Sequence, residues 1–248
     1  MSGNAQLIIS AGMPRAGSGW YYNLTHDLVA ESRGQNARLI RKKFHLQRLL
    51  TEVNCNMSTL KPYRLIPVYI PVLFGNTYVI KTHAGPTNFT KLLMGRRMVK
   101  ACYIYRDPRA AMLSAYEYGQ KGIINKRPNE FSQLDSLESA AEFIDFYIMV
   151  WEAWSQCEGV LVVQYENFVA NYDFELDRLR NFLQRDIQAQ TANKIIERYR
   201  PEKGGAARTG IHFSQGEPER FRRVFSRSQL EKFTELFSPK LAAMGYTE

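Results

Sequence analysis

A lysine and a histidine one residue apart are the first candidates for chemistry in this sequence. The β-rich run Asn76–Lys81 leads directly into the triplet Lys81, Thr82 and His83. A histidine can take a proton from an attacking group near neutral pH, and a lysine can offset developing negative charge. A lone histidine is usually structural, so the pair predicts a catalytic site only if other reactive residues lie at the same sheet end.

A turn rich in small residues, Gly12–Gly19, is the second candidate. It follows the apolar run Gln6–Ala11 and precedes a predicted helix, Trp20–Ser32. Small residues in this context let backbone N–H groups surround a phosphate, and a helix N-terminus favours the anion further. The turn therefore predicts a site for a nucleotide-type ligand.

The same turn departs from the ATP-binding pattern GxxxxGK[ST]. Ser18 stands at the lysine position, and Gly19 stands where a hydroxyl would ligate magnesium. This disfavours an ATPase or an ordinary kinase. Arg15 is the cation of the turn, placed to reach a ligand oxygen, although a glycine-rich turn with a solvated arginine fits the pattern equally well.

Arg106 follows a third β-rich run, Val99–Tyr105, and Ser114 lies eight residues further along a predicted helix. Together these two side chains could hold a second phosphate. For Asp107 we prefer the role of helix N-cap, and for Arg109 that of a surface cation, to direct catalytic roles.

The elements that must position these residues alternate between strand and helix. The predicted strands are 6–11, 76–81, 99–105 and 159–164, and the predicted helices are 20–32, 108–118, 136–156 and 228–244. This order predicts an α/β fold, a three-layer α/β/α arrangement with a central, mostly parallel sheet and a P-loop-like strand-loop-helix. Ligands bind such sheets at the carboxyl ends of the strands, where all three candidate groups fall. Lys61–Gly75, with three prolines, is expected to be an irregular excursion.

Composition restricts the class of protein. The 248 residues are 45% hydrophobic and 23% charged, which is typical of a folded protein, and we expect one domain over residues 1–248. The net charge of +9 favours an anionic partner. The basic residues are scattered rather than forming a long block, which weakens a nucleic-acid function.

The three cysteines, Cys55, Cys102 and Cys157, form no CxxC pair and indicate a reducing compartment without a cysteine metal site. The sequence contains neither a signal-peptide pattern nor eighteen consecutive apolar residues. We therefore expect a cytoplasmic protein without a membrane span.

Three spaced motifs together resemble the PAPS-dependent sulfotransferases, where PAPS is 3′-phosphoadenosine-5′-phosphosulfate and PAP its desulfated product. The family motifs PKxGTxW, KTH and RxPxxxxxS have counterparts that start at Pro14, Lys81 and Arg106. Tyr165-Glu166-Asn167 is similar to a YED-type element and Arg208-Thr209-Gly210 to an RKG segment. Arg15, Ala16 and Gly19 replace the family's usual lysine, serine and second hydroxyl residue.

The resemblance implies a role for each matching residue. His83 corresponds to the catalytic base, and Lys81 to the cation that stabilises the transition state, with Arg15 assisting. Trp20 corresponds to the residue that stacks on adenine. The implied cofactor-binding residues are Arg15, Ala16, Gly17, Ser18, Gly19 and Trp20 at the 5′-phosphosulfate, Arg106 and Ser114 at the 3′-phosphate, and Tyr165, Arg208, Thr209 and Gly210.

These observations predict sulfuryl transfer from PAPS to a hydroxyl or amine of a small-molecule acceptor, without a metal and without a nucleic-acid partner. Two alternatives stay open at this point. A P-loop phosphoryl transferase would need magnesium ligands and a loop lysine. A non-enzymatic anion-binding or nucleic-acid-binding module would place its positive charge in one continuous groove.

Overall fold

A five-stranded sheet forms the centre of the molecule. In the computed structural model, which describes residues 5–184, 189–200 and 217–247, the strand order is β2-β3-β1-β4-β5 and every pairing is parallel. The strands are β1 Leu7–Gly12, β2 Asn56–Met57, β3 Tyr78–Thr82, β4 Val99–Tyr105 and β5 Leu161–Gln164. All six residues of β1 are buried, as expected for a central parallel strand covered on both faces. The predicted three-layer α/β/α fold is confirmed.

Helices connect and cover the strands. They are α1 Ser18–Glu31, α2 Ala37–Lys43, α3 Pro62–Leu73, α4 Asn88–Gly95, α5 Pro108–Ile124, α6 Leu137–Ser155, α7 Tyr165–Ala170, α8 Tyr172–Leu183, α9 Ala189–Tyr199, α10 Phe221–Val224 and α11 Arg227–Ala243. The four helices predicted from periodicity correspond to α1, α5, α6 and α11. In the described part of the chain, no helix is both long and apolar enough to cross a membrane.

The strand order determines which helices share a face. The chain moves in one direction from β1 to the edge strand β2, and in the other direction from β2 to β3 and then across β1 to β4. Right-handed connections therefore place α1 and α4 on opposite faces. The connection from β4 to β5, which contains α5 and α6, returns to the face of α4. The direction of winding reverses beside β1, and ligands bind at such a reversal.

The expectation of an irregular segment at Lys61–Gly75 was wrong, because residues Pro62–Leu73 form the helix α3. Pro62 occupies the first turn, where its missing N–H costs nothing. Pro67 and Pro71 lie inside the helix, where each removes a hydrogen bond. Burial of the Leu65, Val68 and Val72 side chains in the core offsets this cost.

The expectation that Arg109 is a surface cation was also wrong. Its side chain is buried and forms an ion pair with Asp107 at 2.9 Å. Two further hydrogen bonds connect Arg109 to the hydroxyl of Thr234 and to the carbonyl of Thr247. Asp107 does cap α5 as predicted, because its carboxylate accepts from the Arg109 N–H at 2.8 Å.

Candidate active site

The loop after β1 is held tightly by the neighbouring strand and by α7. The N–H of Met13 donates to the carbonyl of Ile104 at 2.9 Å, which keeps the loop against β4. A Cβ at Gly12 would lie 2.8 Å from Cγ2 of Ile104, and one at Gly17 would lie 2.8 Å from the Tyr165 ring. Gly17 also has a φ of 72°, so both positions require glycine.

The N-terminus of α1 opens toward the same region. Its first helical hydrogen bond is donated by the Tyr21 N–H to the Gly17 carbonyl at 3.0 Å. The N–H groups of Ser18 and Gly19 precede this first hydrogen bond of the helix. Gly17 supplies no capping side chain, and the first turn contains no acidic residue. These features suit an anionic ligand at this helix end.

Lys81 and His83 meet at the end of β3. Lys81 lies inside the strand, as the predicted run 76–81 has it, and the strand continues to Thr82. Its Nζ lies 2.9 Å from His83 Nε2, and His83 Nδ1 lies 2.6 Å from the carbonyl oxygen of Gly12. Because a carbonyl can only accept, the Nδ1 of His83 carries the proton and Nε2 presents a lone pair.

Burial and mutual repulsion keep the positive charge in this pair low. Burial, with the charge of Lys81 as the second cause, lowers the pKa of His83 to about 3. Burial also lowers the pKa of Lys81 to about 8, with Glu130 opposing this effect and Arg15 adding to it. At neutral pH the imidazole is therefore neutral and the ammonium is charged.

The side chain of Arg15 lies against α5, which its place in the loop did not predict. Its φ of 64° is unusual for a residue with a side chain. The side chain extends to Ser114, where Nε donates to the hydroxyl at 3.2 Å, and its guanidinium lies 4.3 Å from the ring centroid of Tyr118. Burial lowers the pKa of Arg15. The structure thus brings Arg15 together with Ser114, a residue of the other predicted phosphate site.

Arg106 lies at the end of β4, with its guanidinium 4.7 Å from the ring centroid of Tyr165. One of its amino groups donates to the carbonyl of Glu217 at 2.9 Å, and another lies 3.5 Å from the carbonyl of Arg15. Its Nε is 3.9 Å from a carboxylate oxygen of Glu166 and is buried without a hydrogen-bond partner in the described structure. An unsatisfied donor on a largely buried arginine suits an additional anionic ligand.

Trp20 is fully buried, and its indole N–H donates to the carbonyl of Tyr199 at 2.9 Å. Its ring contacts those of Phe168 and Tyr172, with centroids 4.9 and 6.2 Å away. Adenine stacking at Trp20 stays a prediction, since it would require access to a ring that now packs on protein side chains. The predicted segment Arg208–Gly210 lies outside the described residues.

Several contacts around the site were not predicted from the sequence. Glu130 is exposed in the loop after α5 yet close enough to raise the pKa of Lys81. Tyr147 of α6 meets the His83 ring edge-on, with centroids 6.4 Å apart. Glu166 was noted only as part of a motif, but it accepts hydrogen bonds from Tyr246 at 2.6 Å and from the Asp107 N–H at 3.2 Å. These contacts join segments that are distant in the sequence, so no local sequence pattern predicts them.

The described residues fit a ligand with two anionic groups. One group would bind the N-terminus of α1 near Lys81, and the other would bind Arg106 with Ser114. Both positions lie at the carboxyl ends of neighbouring strands, β1, β3 and β4. Among the described residues, no group of three or more His, Cys, Asp and Glu side chains is arranged to hold a metal ion.

Comparison with known proteins points to one family. The model of a family described as the sulfotransferase domain matches residues 5–245. No curated protein matches the sequence significantly.

Several solved structures share the fold at low identity. Mouse sulfotransferase SULT7A1 complexed with PAP is 15% identical, with a TM-score of 0.61 over 96% of this chain and 84% of its own. A retinol dehydratase in complex with androsterone and PAP is 15% identical, with a TM-score of 0.58 over 95% of this chain and 80% of its own. A putative steroid sulphotransferase of Arabidopsis thaliana is 17% identical, with a TM-score of 0.55 over 100% of this chain and 80% of its own.

Proposed function

Because the chain belongs to the sulfotransferase domain family, we propose that it transfers the sulfuryl group of PAPS to a hydroxyl or amine of a small-molecule acceptor and releases PAP. The observation that carries this proposal is the contact between Lys81 Nζ and His83 Nε2, at 2.9 Å, beside the loop after β1. It places a neutral base and a cation next to a helix N-terminus suited to an anion. Two structural neighbours are complexes with PAP, which supports the choice of cofactor.

His83 acts as the general base through Nε2. The hydrogen bond from Nδ1 to the Gly12 carbonyl fixes the tautomer in which Nε2 is unprotonated. In the structure Lys81 donates to this nitrogen, so the acceptor must take the place of Lys81 there. When Lys81 turns toward the anionic sulfuryl group, its repulsion of the imidazolium is offset, and the pKa of His83 rises.

PAPS supplies an activated sulfuryl group on a phosphate leaving group. Lys81 and the N-terminus of α1, with Ser18 and Gly19, bind and orient the 5′ end, and Lys81 stabilises charge that develops on the transferring group. Arg106 and Ser114 bind the 3′-phosphate. Arg15 lies between the two positions and offsets negative charge without giving up its own proton, since a guanidinium does not deprotonate readily.

Aromatic side chains form a row from Arg15 to His83, and we place the acceptor beside this row. The order is Tyr118, Phe131, Phe143 and Tyr147, with successive ring centroids 5.7, 5.6 and 5.1 Å apart. Such a row favours an acceptor with an apolar body. The retinol dehydratase structures contain androsterone or retinol with PAP, which is consistent with acceptors of this kind.

We place the reaction in the cytoplasm. The support is that Cys55, Cys102 and Cys157 are all free thiols, which persist most easily in a reducing compartment.

The His83→Ala variant tests the mechanism. Using ³⁵S-labelled PAPS with a phenol, a 3-hydroxysteroid and an alkylamine, we expect transfer by the wild type to at least one acceptor. In His83→Ala, transfer should fall roughly 10²- to 10⁴-fold, because general-base catalysis is lost. PAP affinity, measured by calorimetry, should stay within about two-fold, since His83 holds no phosphate in this mechanism.

His45→Ala is the matched control, because His45 is exposed and lies in the segment after α2. It should transfer sulfuryl groups at the wild-type rate. Undiminished transfer by His83→Ala would remove His83 from the mechanism. A loss of PAP binding together with transfer would instead assign His83 to the cofactor site.

A further inference from the structure

Helix α3 is apolar on two opposite sides, although only one of them is buried. Arg64 is the charged residue of its sequence PYRLIPVYIPVL. Leu65, Val68 and Val72 are buried in the protein core. A helix that is apolar all round is normally enclosed on all sides, so the outer side of α3 is unusual for a helix in contact with water.

The outer side is a continuous apolar stripe. It consists of Tyr63, Ile66, Ile70, Leu73 and the adjoining Phe74, whose exposed fractions range from 41% to 72%. The spacing of three or four residues places these side chains along one line of the helix. The 12-residue helix makes this line about 18 Å long at 1.5 Å per residue.

The segment of the chain that contains the stripe is strongly basic. Residues 36–75 contain one acidic residue, Glu52, and seven basic residues, a net charge of +6 within a chain whose net charge is +9. The basic residues are Arg38, Arg41, Lys42, Lys43, Arg48, Lys61 and Arg64. We call the stripe with these basic residues the α2–α3 face.

Contacts at both ends of α3 join the stripe to the basic residues. The rings of Phe44 and Phe74 lie 5.9 Å apart, and Lys43 Nζ lies 5.7 Å from the Phe44 centroid. Near the other end, a guanidinium nitrogen of Arg64 donates to the carbonyl of Arg48 at 3.1 Å. The segment that follows α2 therefore runs alongside α3, and charge and apolar surface form one face.

We propose that the α2–α3 face docks on an anionic lipid bilayer, with the stripe in the interface and the basic side chains at the headgroups. Apolar and aromatic side chains on one surface with lysine and arginine around them are what such an interface binds. This goes beyond sulfuryl transfer and does not depend on it.

Two other occupants fit the face less well. A second copy paired symmetrically through this face would bring a net charge of +6 against an equal charge, which opposes association. Nucleic acid would satisfy the lysines and arginines, but it offers no hydrocarbon for Ile66, Ile70 and Leu73, which cannot stack on bases as aromatic rings do. A bilayer satisfies both the charge and the aliphatic side chains.

Vesicle flotation tests the proposal with the full chain. We expect the protein to float with vesicles of phosphatidylcholine and phosphatidylserine at 0.1 M salt and to float much less with phosphatidylcholine alone or at high salt. Lys42→Glu/Lys43→Glu should lower the partition coefficient by roughly 30-fold or more, because each basic residue at an anionic surface contributes about a five-fold gain. Leu73→Ser should lower it on the order of ten-fold, because hydrocarbon burial is lost.

The controls alter equivalent residues elsewhere on the surface. Lys91→Glu/Lys194→Glu changes the net charge by the same amount, and Leu236→Ser removes another exposed leucine, from α11. Both should float like the wild type. Since lysines in the last turn also stabilise α2, circular dichroism checks folding of the first variant, and Leu73→Ser leaves α2 intact.

Several results would overturn the proposal. The wild type would fail to float with anionic vesicles, or it would float equally well with neutral vesicles. Alternatively, the control variants would lose as much flotation as the variants of the α2–α3 face. Sedimentation that shows a dimer, abolished by Leu73→Ser, in a protein that does not float would assign the face to a second copy instead.

Discussion

At the scale of single residues, the site depends on how Lys81 and His83 affect each other's charge. The ammonium lies 2.9 Å from the imidazole, and burial disfavours a charge on either group. The outcome is a neutral histidine and a charged lysine at neutral pH. A more distant lysine would repel the imidazolium less, and an exposed histidine would keep a pKa closer to its ordinary value.

Arg106 provides the sharpest test of the 3′-phosphate position. Arg106→Ala should weaken PAP binding by roughly 10- to 100-fold, since a charge-assisted hydrogen bond to phosphate is lost. Binding of adenosine 5′-phosphosulfate, which has no 3′-phosphate, should change little. Calorimetric titration of both ligands measures the difference, with the highly exposed Arg227→Ala as control. Equal losses for the two ligands would show that Arg106 does not bind the 3′-phosphate.

The lowered pKa of His83 has a consequence for stability. Its folded-state pKa of about 3 lies below the ordinary value of 6.5, so between these values the unfolded chain binds the extra proton. The contribution of this group to the free energy of unfolding is therefore present above pH 6.5 and is lost as the pH falls toward 3. His83→Asn removes it while keeping a donor for the Gly12 carbonyl.

Urea unfolding at pH 7 and pH 5 measures this effect. The free energy of unfolding should fall less between the two values in His83→Asn than in the wild type. His45→Asn, at an exposed position, should follow the wild type. The same pH dependence in all three proteins would contradict the low pKa of His83.

Reactive residues could be predicted from the sequence where they lie at the end of a predicted strand. Lys81, His83 and Arg106 were predicted because a β-rich run precedes each one, and strand ends of a parallel sheet meet at one edge. The contacts of Arg15 with Ser114 and Tyr118 could not be predicted, because they depend on a left-handed backbone conformation and on distant packing. Glu130 was missed for the same reason.

At the scale of elements, buried polar contacts fix the helices that carry the site. The Asp107–Arg109 ion pair lies where α5 begins, next to Arg106. Arg109 also donates a hydrogen bond to the hydroxyl of Thr234 in α11. The sequence predicted the cap at Asp107 because capping is local. It missed the burial of Arg109 because α11 is more than a hundred residues away. The helix α3 was not predicted, because its three prolines indicated an irregular segment despite the helical spacing of its apolar residues.

Breaking this ion pair should destabilise the fold. Arg109→Ala should lower the free energy of unfolding by about 3–5 kcal/mol, because the buried carboxylate of Asp107 loses its partner. Asp107→Ala/Arg109→Ala should cost less than the sum of the two single variants, as measured by urea unfolding. Additive losses would show that the two side chains do not interact.

At the scale of the whole molecule, strand order brings separate segments to one sheet edge. Alternation of strands and helices predicted the parallel sheet, but the two-residue strand β2 was too short to leave a pattern. The net charge of +9 predicted an anionic partner without saying where it binds. In the structure two groups of basic residues stand out among the scattered ones, those of the site and those of the α2–α3 face. A single domain over residues 1–248 remains a prediction.

The central claim is that the site at the ends of β1, β3 and β4 binds a nucleotide with both a 5′ and a 3′ anionic group. Calorimetric titration of the wild-type protein with PAP, AMP and Mg-ATP tests it most directly. PAP should bind at least about ten-fold tighter than AMP, because Arg106 and Ser114 contact only the 3′-phosphate. Equal affinity for PAP and AMP, or tighter binding of Mg-ATP, would contradict the account.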